Sequence, residues 1–274
     1  MTSFWGLFAA VLSFAITVIL GRFVIPYLHK LKYGQTILDI GPSWHKNKQG
    51  TPTMGGIMFI IGIAISVIIC VPMYYVSSGE SSIGNVETPL MTTKIFAGLF
   101  MAIGFGAIGF IDDYIKVVKK RNLGLTASQK LVLQFSAAAV YLAIIYIVEV
   151  SQGSKSMTQT IIPFVGSIDL GLLYWPISAV LIVGMVNAVN FTDGIDGLNS
   201  SVTFFVAIFY MLISSFLGMF GFTIVSAALA GGCLGFLVWN LHPAKVFMGD
   251  TGSLFLGGLV CAIAFGFNIP ILLL

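Results

Sequence analysis

The chain has 274 residues, of which 58% are hydrophobic and 8% charged, with a net charge of +3. Soluble domains carry about 25% charged residues, so a water-soluble fold and a disordered chain are both excluded, and no nucleic-acid partner is expected. What remains is one helical integral-membrane domain over residues 1–274.

A helix needs about 20 apolar residues to cross a bilayer. On that measure spans are expected near 4–28, 55–76, 95–111, 130–148, 172–190, 201–217, 222–240 and 252–267, which makes an all-α polytopic membrane protein of about eight transmembrane helices. The first run is too long for a signal-peptide core, and its basic residues, Arg22 and Lys30, come at or after its end, so it reads as a retained span. Pro26, Pro72 and Pro176 mark helix ends or kinks. Gly104, Gly106, Gly109, Gly231, Gly232, Gly235, Gly257 and Gly258 recur on the spans, and close helix packing is all that is expected of them. Cys70, Cys233 and Cys261 lie in apolar runs and are expected to be buried, without disulfide or metal. Between the fourth and fifth spans, Ile161 to Leu170 is expected to form a short external β-hairpin. After Asn268 and Pro270, the residues Ile271 to Leu274 read as the start of a ninth span, so the sequence is expected to lack a C-terminal part.

Basic residues alternate from loop to loop. The first, third and seventh carry Lys30, Lys32, Lys46, Lys48, Lys116, Lys119, Lys120, Arg121, Lys130 and Lys245, whereas the even loops carry only Lys94 and Lys155. The positive-inside rule then places the odd loops in the cytoplasm and the N-terminus outside. Asp39, Asp112, Asp113, Asp193, Asp196 and Asp250, with His29, His45 and His242, share that cytoplasmic face.

Four stretches on this face carry chemistry. Asn187 to Asn199 sets two amides and two aspartates, Asn187, Asn190, Asp193 and Asp196, at three-residue intervals. Carboxylates beside a span are costly unless they bind something; the plain alternative is a polar turn at a helix end. Asp112-Asp113-Tyr114-Ile115-Lys116 places Asp112 and Lys116 on one helical face. Adjacent carboxylates repel, and a hard divalent ion, Mg²⁺ first, would relieve them; a solvated helix end with an ion pair is the alternative. His242, Lys245 and Asp250 fall within nine residues, where Asp250 or Ser253 would cap the next helix, and Phe247 is either loop packing or a base-stacking ring. Gly41 to Gly56 mixes lysines with turn residues, as a phosphate clasp or a topology-setting loop would. Lys119, Lys120 and Arg121 suit anionic lipid head groups.

From Gly21 onward the chain resembles the phospho-N-acetylmuramoyl-pentapeptide transferase family. The resemblance is carried by Gly50-Thr51-Pro52-Thr53-Met54-Gly55-Gly56, by Asp112 to Lys116, by Asn187 to Leu198 and by His242 to Ser253, in that order. The first and last favour this family over relatives that transfer N-acetylglucosamine phosphate. The resemblance implies a ten-span, Mg²⁺-dependent enzyme of the bacterial plasma membrane. It would move phospho-MurNAc-pentapeptide from its UDP-linked form to undecaprenyl phosphate, giving lipid I and UMP for peptidoglycan. It implies that Asp112 and Asp113 are the paired catalytic acids and that Asp250 is catalytic and binds Mg²⁺. Asn190, Asp193 and Asp196 would lie at the uridine diphosphate, with Phe247 near uracil and Lys48 close by. Lys116 and Lys130 would neutralise phosphate, and Asn187 and His242 are counted with the substrate-binding set. The family's His-rich segment after its ninth span has no counterpart here. A secondary transporter is the rival from another class, although its polar groups would belong at the midplane. Oligomeric state is left open, a homodimer included.

Overall fold

The computed structural model describes residues 2–30, 50–78, 87–118, 124–151, 153, 158–162 and 164–274. Eight α-helices run in order among them: α1 (Thr2–Lys30), α2 (Gly56–Ser77), α3 (Glu87–Val118), α4 (Ala127–Ser151), α5 (Tyr174–Thr192), α6 (Leu198–Phe216), α7 (Phe220–Asn240) and α8 (Gly249–Gly266). All eight are long and apolar enough to cross a membrane. The C-terminal ends of α1, α3, α5 and α7 meet the N-terminal ends of α2, α4, α6 and α8 at one end of the bundle.

Burial separates the helices into a centre and a shell. Every residue of α8 from Thr251 to Gly266 is buried, and α7 is buried along most of its length. By contrast Phe23 on α1, Val132 on α4 and Phe205 on α6 turn large apolar side chains outward, as a lipid-facing surface requires. Small residues let the central helices approach. A Cβ at Gly231 would overlap the backbone of Ala10 on α1, and one at Gly258 would meet Ala102 and Phe105 on α3. Gly104 departs from the expected close packing, because open space surrounds it. Cys70, Cys233 and Cys261 are free and buried, as expected.

The clearest boundary difference from the sequence reading is in α3. Helix α3 is longer than the expected 95–111, running from Glu87 to Val118. Its polar residues continue the helix because they are satisfied across it: Lys94 pairs with Glu149 of α4 at 2.8 Å, and Lys116 with Asp112 at 2.6 Å. Pro26 and Pro72 lie inside α1 and α2, which continue to Lys30 and Ser77.

The expected hairpin is present at the other end of the bundle. Strands β1 (Gln159–Ile162) and β2 (Gly166–Asp169) pair antiparallel, with Gln159 opposite Asp169 and Ile162 opposite Gly166. The Ile161 N–H donates to the Asn268 carbonyl at 3.0 Å, tying the hairpin to the end of α8. The Asp169 carboxylate accepts the Thr158 hydroxyl and the Gly171 N–H, which hold its pKa below the usual carboxylate value. A depressed folded pKa contributes stability above the unfolded value that is lost as pH falls through the folded one. Amide protection at Gly171, corrected for intrinsic exchange, is therefore expected to fall as pH drops below about 4, and Asp169→Asn should lose that dependence.

Candidate active site

The last turns of α3 carry Asp112 and Asp113 inward, where they are 3% and 4% exposed. This is not the solvated helix end that the pair alone allowed. Asp112 Oδ2 takes Lys116 Nζ at 2.6 Å, one turn along the same face. Its Oδ1 accepts the Leu125 N–H at 2.6 Å, from the residue pair that leads into α4. Gly124 makes that approach feasible, since a Cβ there would overlap the Asp112 carboxylate. Asp113 faces the start of α8, where Oδ2 accepts the Thr251 N–H at 2.9 Å and the Thr251 hydroxyl at 2.7 Å. A carboxylate suits unpaired amides at a helix N-terminus.

Asp250 stands in the first turn of α8 and draws in three other helices. Its Oδ2 receives Lys130 Nζ of α4 at 2.8 Å and Lys116 Nζ of α3 at 3.2 Å. Its Oδ1 accepts Asn190 Nδ2 of α5 at 2.9 Å, and the same amide reaches Ser253 Oγ at 2.7 Å. Neither Asp250 nor Ser253 caps α8, contrary to the sequence reading: the N-cap is Met248, without a side-chain bond, and Ser253 donates to the Gly249 carbonyl. The cap is displaced because Asp113 already serves the helix start.

One oxygen from each of Asp112, Asp113 and Asp250 lies within 4.8 Å of the others. With all five groups ionised, two ammonium groups stand against three carboxylates, a formal excess of one negative charge. Such a grouping of hard oxygens could hold a metal ion.

A second group of contacts joins the remaining motifs. The Phe247 N–H donates to the Pro52 carbonyl at 2.8 Å, and Gly55 and Gly56 donate to the carbonyls of Phe247 and Met248 at 2.9 and 3.0 Å. The loop before α2 is thereby stitched to the loop before α8, with Phe247 half-buried. His242 Nδ1 meets Asp196 Oδ2 at 2.9 Å, and the Ala244 N–H reaches the same oxygen at 3.3 Å. Asn240 Oδ1 accepts the Gly197 N–H at 3.0 Å while its amide donates to the Val246 carbonyl at 2.9 Å, fixing the turn after α5 to the loop after α7. Asp193 is the C-cap residue of α5. Asn187 lies deeper, paired with Gln134 of α4. Lys245 sits over the Trp239 ring, 5.4 Å from its centroid. Lys48 lies outside the described residues.

The structure therefore brings Asp112, Asp113, Asp250, Lys116, Lys130 and Asn190 into one contact network. Asp196 and His242 form a neighbouring pair on the adjoining loops. Thr251, Leu125, Asn240 and Gln134 were missed in the sequence. Leu125 acts through its backbone amide alone, which no residue type signals, and Thr251 through its amide and hydroxyl together; the buried amides Asn240 and Gln134 carried only the signal of a polar group in or at the end of a span.

Residues 95–268 match the model of glycosyl transferase family 4, and residues 48–60 match the first signature of phospho-N-acetylmuramoyl-pentapeptide-transferase. The chain is similar to phospho-N-acetylmuramoyl-pentapeptide-transferases from several bacteria. It is 45% identical to that of Desulforamulus reducens over 253 residues, covering 91% of this chain and 70% of the relative. It is 46% identical to that of Caldicellulosiruptor bescii over 266 residues, covering 97% and 76%. The Clostridioides difficile protein is 44% identical over 257 residues, covering 93% and 73%. With membrane helices, a buried acid cluster and these matches together, the chain belongs to the phospho-N-acetylmuramoyl-pentapeptide-transferase family of bacterial membrane transferases.

Proposed function

We propose that the chain, as one integral-membrane domain, transfers phospho-MurNAc-pentapeptide from UDP-MurNAc-pentapeptide to undecaprenyl phosphate, forming lipid I and releasing UMP. The observation that carries this reading is the meeting of three carboxylates from α3 and α8 with two lysines from α3 and α4 at one end of the bundle. The alternation of basic loops supports a cytoplasmic position for that end, in the plasma membrane.

The donor set fits Mg²⁺. It is all carboxylate oxygen, without histidine or cysteine, and it keeps an excess negative charge. Mg²⁺ binds through one or two carboxylates together with substrate phosphates, so Asp250, with Asp112 and Asp113 beside it, would hold it. When bound, the ion offsets charge on the diphosphate and on the departing UMP. Lys116 and Lys130, which share Asp250, turn their charge toward the phosphates as the reaction proceeds. Asp112 takes the proton from the lipid phosphate, whose oxygen attacks the phosphorus bearing the sugar; the bond from that phosphorus to UMP breaks. Asp112 has one oxygen on Leu125 and the other on Lys116, which holds its carboxylate in place beside Asp250. Asp193, Asp196, His242, Phe247 and Lys48 are assigned to the uridine diphosphate side.

The acids stand at helix ends, whereas a secondary transporter holds its substrate near the bilayer midplane. Incubation with undecaprenyl phosphate, Mg²⁺ and either UDP-MurNAc-pentapeptide or UDP-N-acetylglucosamine separates the readings. UMP release with the first donor alone is expected. Release only with the second would assign the sister activity, and release with neither would sink the enzyme reading.

A further inference from the structure

Helix α4 supplies Lys130 to the site, yet it is held there by little. Its buried residues are Gln134, Ala138, Tyr141 and Leu142, so Gln134 is the buried anchor closest along the helix to Lys130 and the one that carries an amide. Gln134 is completely buried, a costly place for an amide within a span unless it is paired. It is paired reciprocally: Gln134 Nε2 donates to Asn187 Oδ1 at 3.3 Å, and Asn187 Nδ2 donates back to Gln134 Oε1 at 2.8 Å. The Asn187 amide also donates to the Val183 carbonyl at 2.8 Å, which fixes its orientation on α5.

The pair sits one turn below the site on both helices. Lys130 precedes Gln134 by four residues on α4, and Asn190 follows Asn187 by three on α5, so each lies on the same face as its clasp partner. Lys130 and Asn190 grip opposite oxygens of Asp250. The result is a closed ring: Gln134, Lys130, Asp250, Asn190, Asn187 and back to Gln134.

We propose that Gln134 is a positioning residue, whose amide clasp with Asn187 sets α4 and α5 so that Lys130 and Asn190 hold the two Asp250 oxygens at once. Asn187 thereby acts through the clasp and not on substrate. The kinetic consequence rests on the transferase reading above; the structural consequence does not.

Two readouts test it on the whole chain in detergent. Reductive methylation followed by mass spectrometry reports the reactivity of Lys130, with Lys94 as the control. The two side chains are 18% and 13% exposed, and Lys94 is paired with Glu149 far from the clasp. In Gln134→Leu, Lys130 should react about fivefold faster, as the loss of the two clasp hydrogen bonds allows, while Lys94 is unchanged. In the same variant kcat should fall about 10- to 100-fold with KM for the UDP-linked donor within about twofold. The swap Gln134→Asn with Asn187→Gln should restore most of both. Gln134→Leu with Asn187→Leu leaves no amide unpaired and should melt at or above the wild-type temperature, yet keep fast Lys130 labelling and low kcat. Wild-type labelling of Lys130 in the single variant, acceleration of Lys94 alongside it, or recovery of kcat in the double leucine variant would each overturn the proposal. If the wild type itself releases no UMP, the transferase reading fails, and the labelling still decides the clasp.

Discussion

Exchange of Asp250 for asparagine is expected to lower kcat for UMP release by about 1,000-fold. The reason lies in what surrounds the carboxylate. Lys116 and Lys130 point at Oδ2, and Asn190 points its amide at Oδ1, so the three side chains bonded to the carboxylate are all donors. An asparagine must turn its own NH₂ toward one side or the other, and on either side it meets a donor. The cluster also loses one of the three negative charges that oppose the two lysines. Affinity for Mn²⁺, followed by its paramagnetic resonance as a stand-in for Mg²⁺, should weaken in parallel. A cost of about 1–3 kcal/mol is expected from the unmatched donors, leaving a folded protein with a lower melting temperature. Near-normal UMP release in this variant would mean that Asp250 takes no part in the reaction.

The helices were legible because hydropathy reads the solvent directly: each of the eight apolar runs is, among the described residues, a helix long enough to cross a membrane. Their ends were less legible wherever charge intervened. Lys94 and Asp112 looked like loop residues because their partners, Glu149 and Lys116, become neighbours only once α3 and α4 are formed and packed. The hairpin was expected from Ile161 to Leu170, and β1 and β2 fall on that stretch, with β1 beginning earlier, at Gln159. At the site, residue spacing could place Asp112 and Lys116 on one face, but the joining of Asp112 and Asp250, 138 positions apart, is a tertiary fact. The family likeness supplied it before geometry did. Capping was the wrong inference for Asp250 because helix starts favour any nearby acid, and Asp113, arriving from another helix, held the place. Gln134 and Asn240 stayed hidden for the opposite reason. Each is a lone amide within or at the end of an apolar run, and its meaning depends on which amide or carbonyl lies across from it.

Substitution of Gly109 by alanine should damage the site without touching any of its side chains. Gly109 lies three residues before Asp112 on α3, where a Cβ would overlap the carbonyl of Asp250 and stand 2.6 Å from the Thr251 nitrogen. These are backbone atoms, so no rotamer change relieves the clash. Helix α8 cannot withdraw either, because a Cβ on Gly252 would already stand 2.9 Å from the Gly56 Cα, so α2 is packed backbone to backbone behind it. Helix α3 must therefore shift outward, carrying Asp112 and Asp113 away from Asp250 and breaking the Asp113 bonds to Thr251. Overpacking of this kind costs about 1–3 kcal/mol, and a displacement of about 1 Å at reacting groups lowers turnover about 100-fold. Gly104, on the same helix, supplies the control, since nothing lies within 4 Å of its added Cβ. Gly104→Ala should leave UMP release unchanged and raise the melting temperature slightly, as alanine favours a helix over glycine by about 0.5–1 kcal/mol. Equal activity in the two alanine variants would show that the spacing of α3 and α8 does not set the distance between the acids.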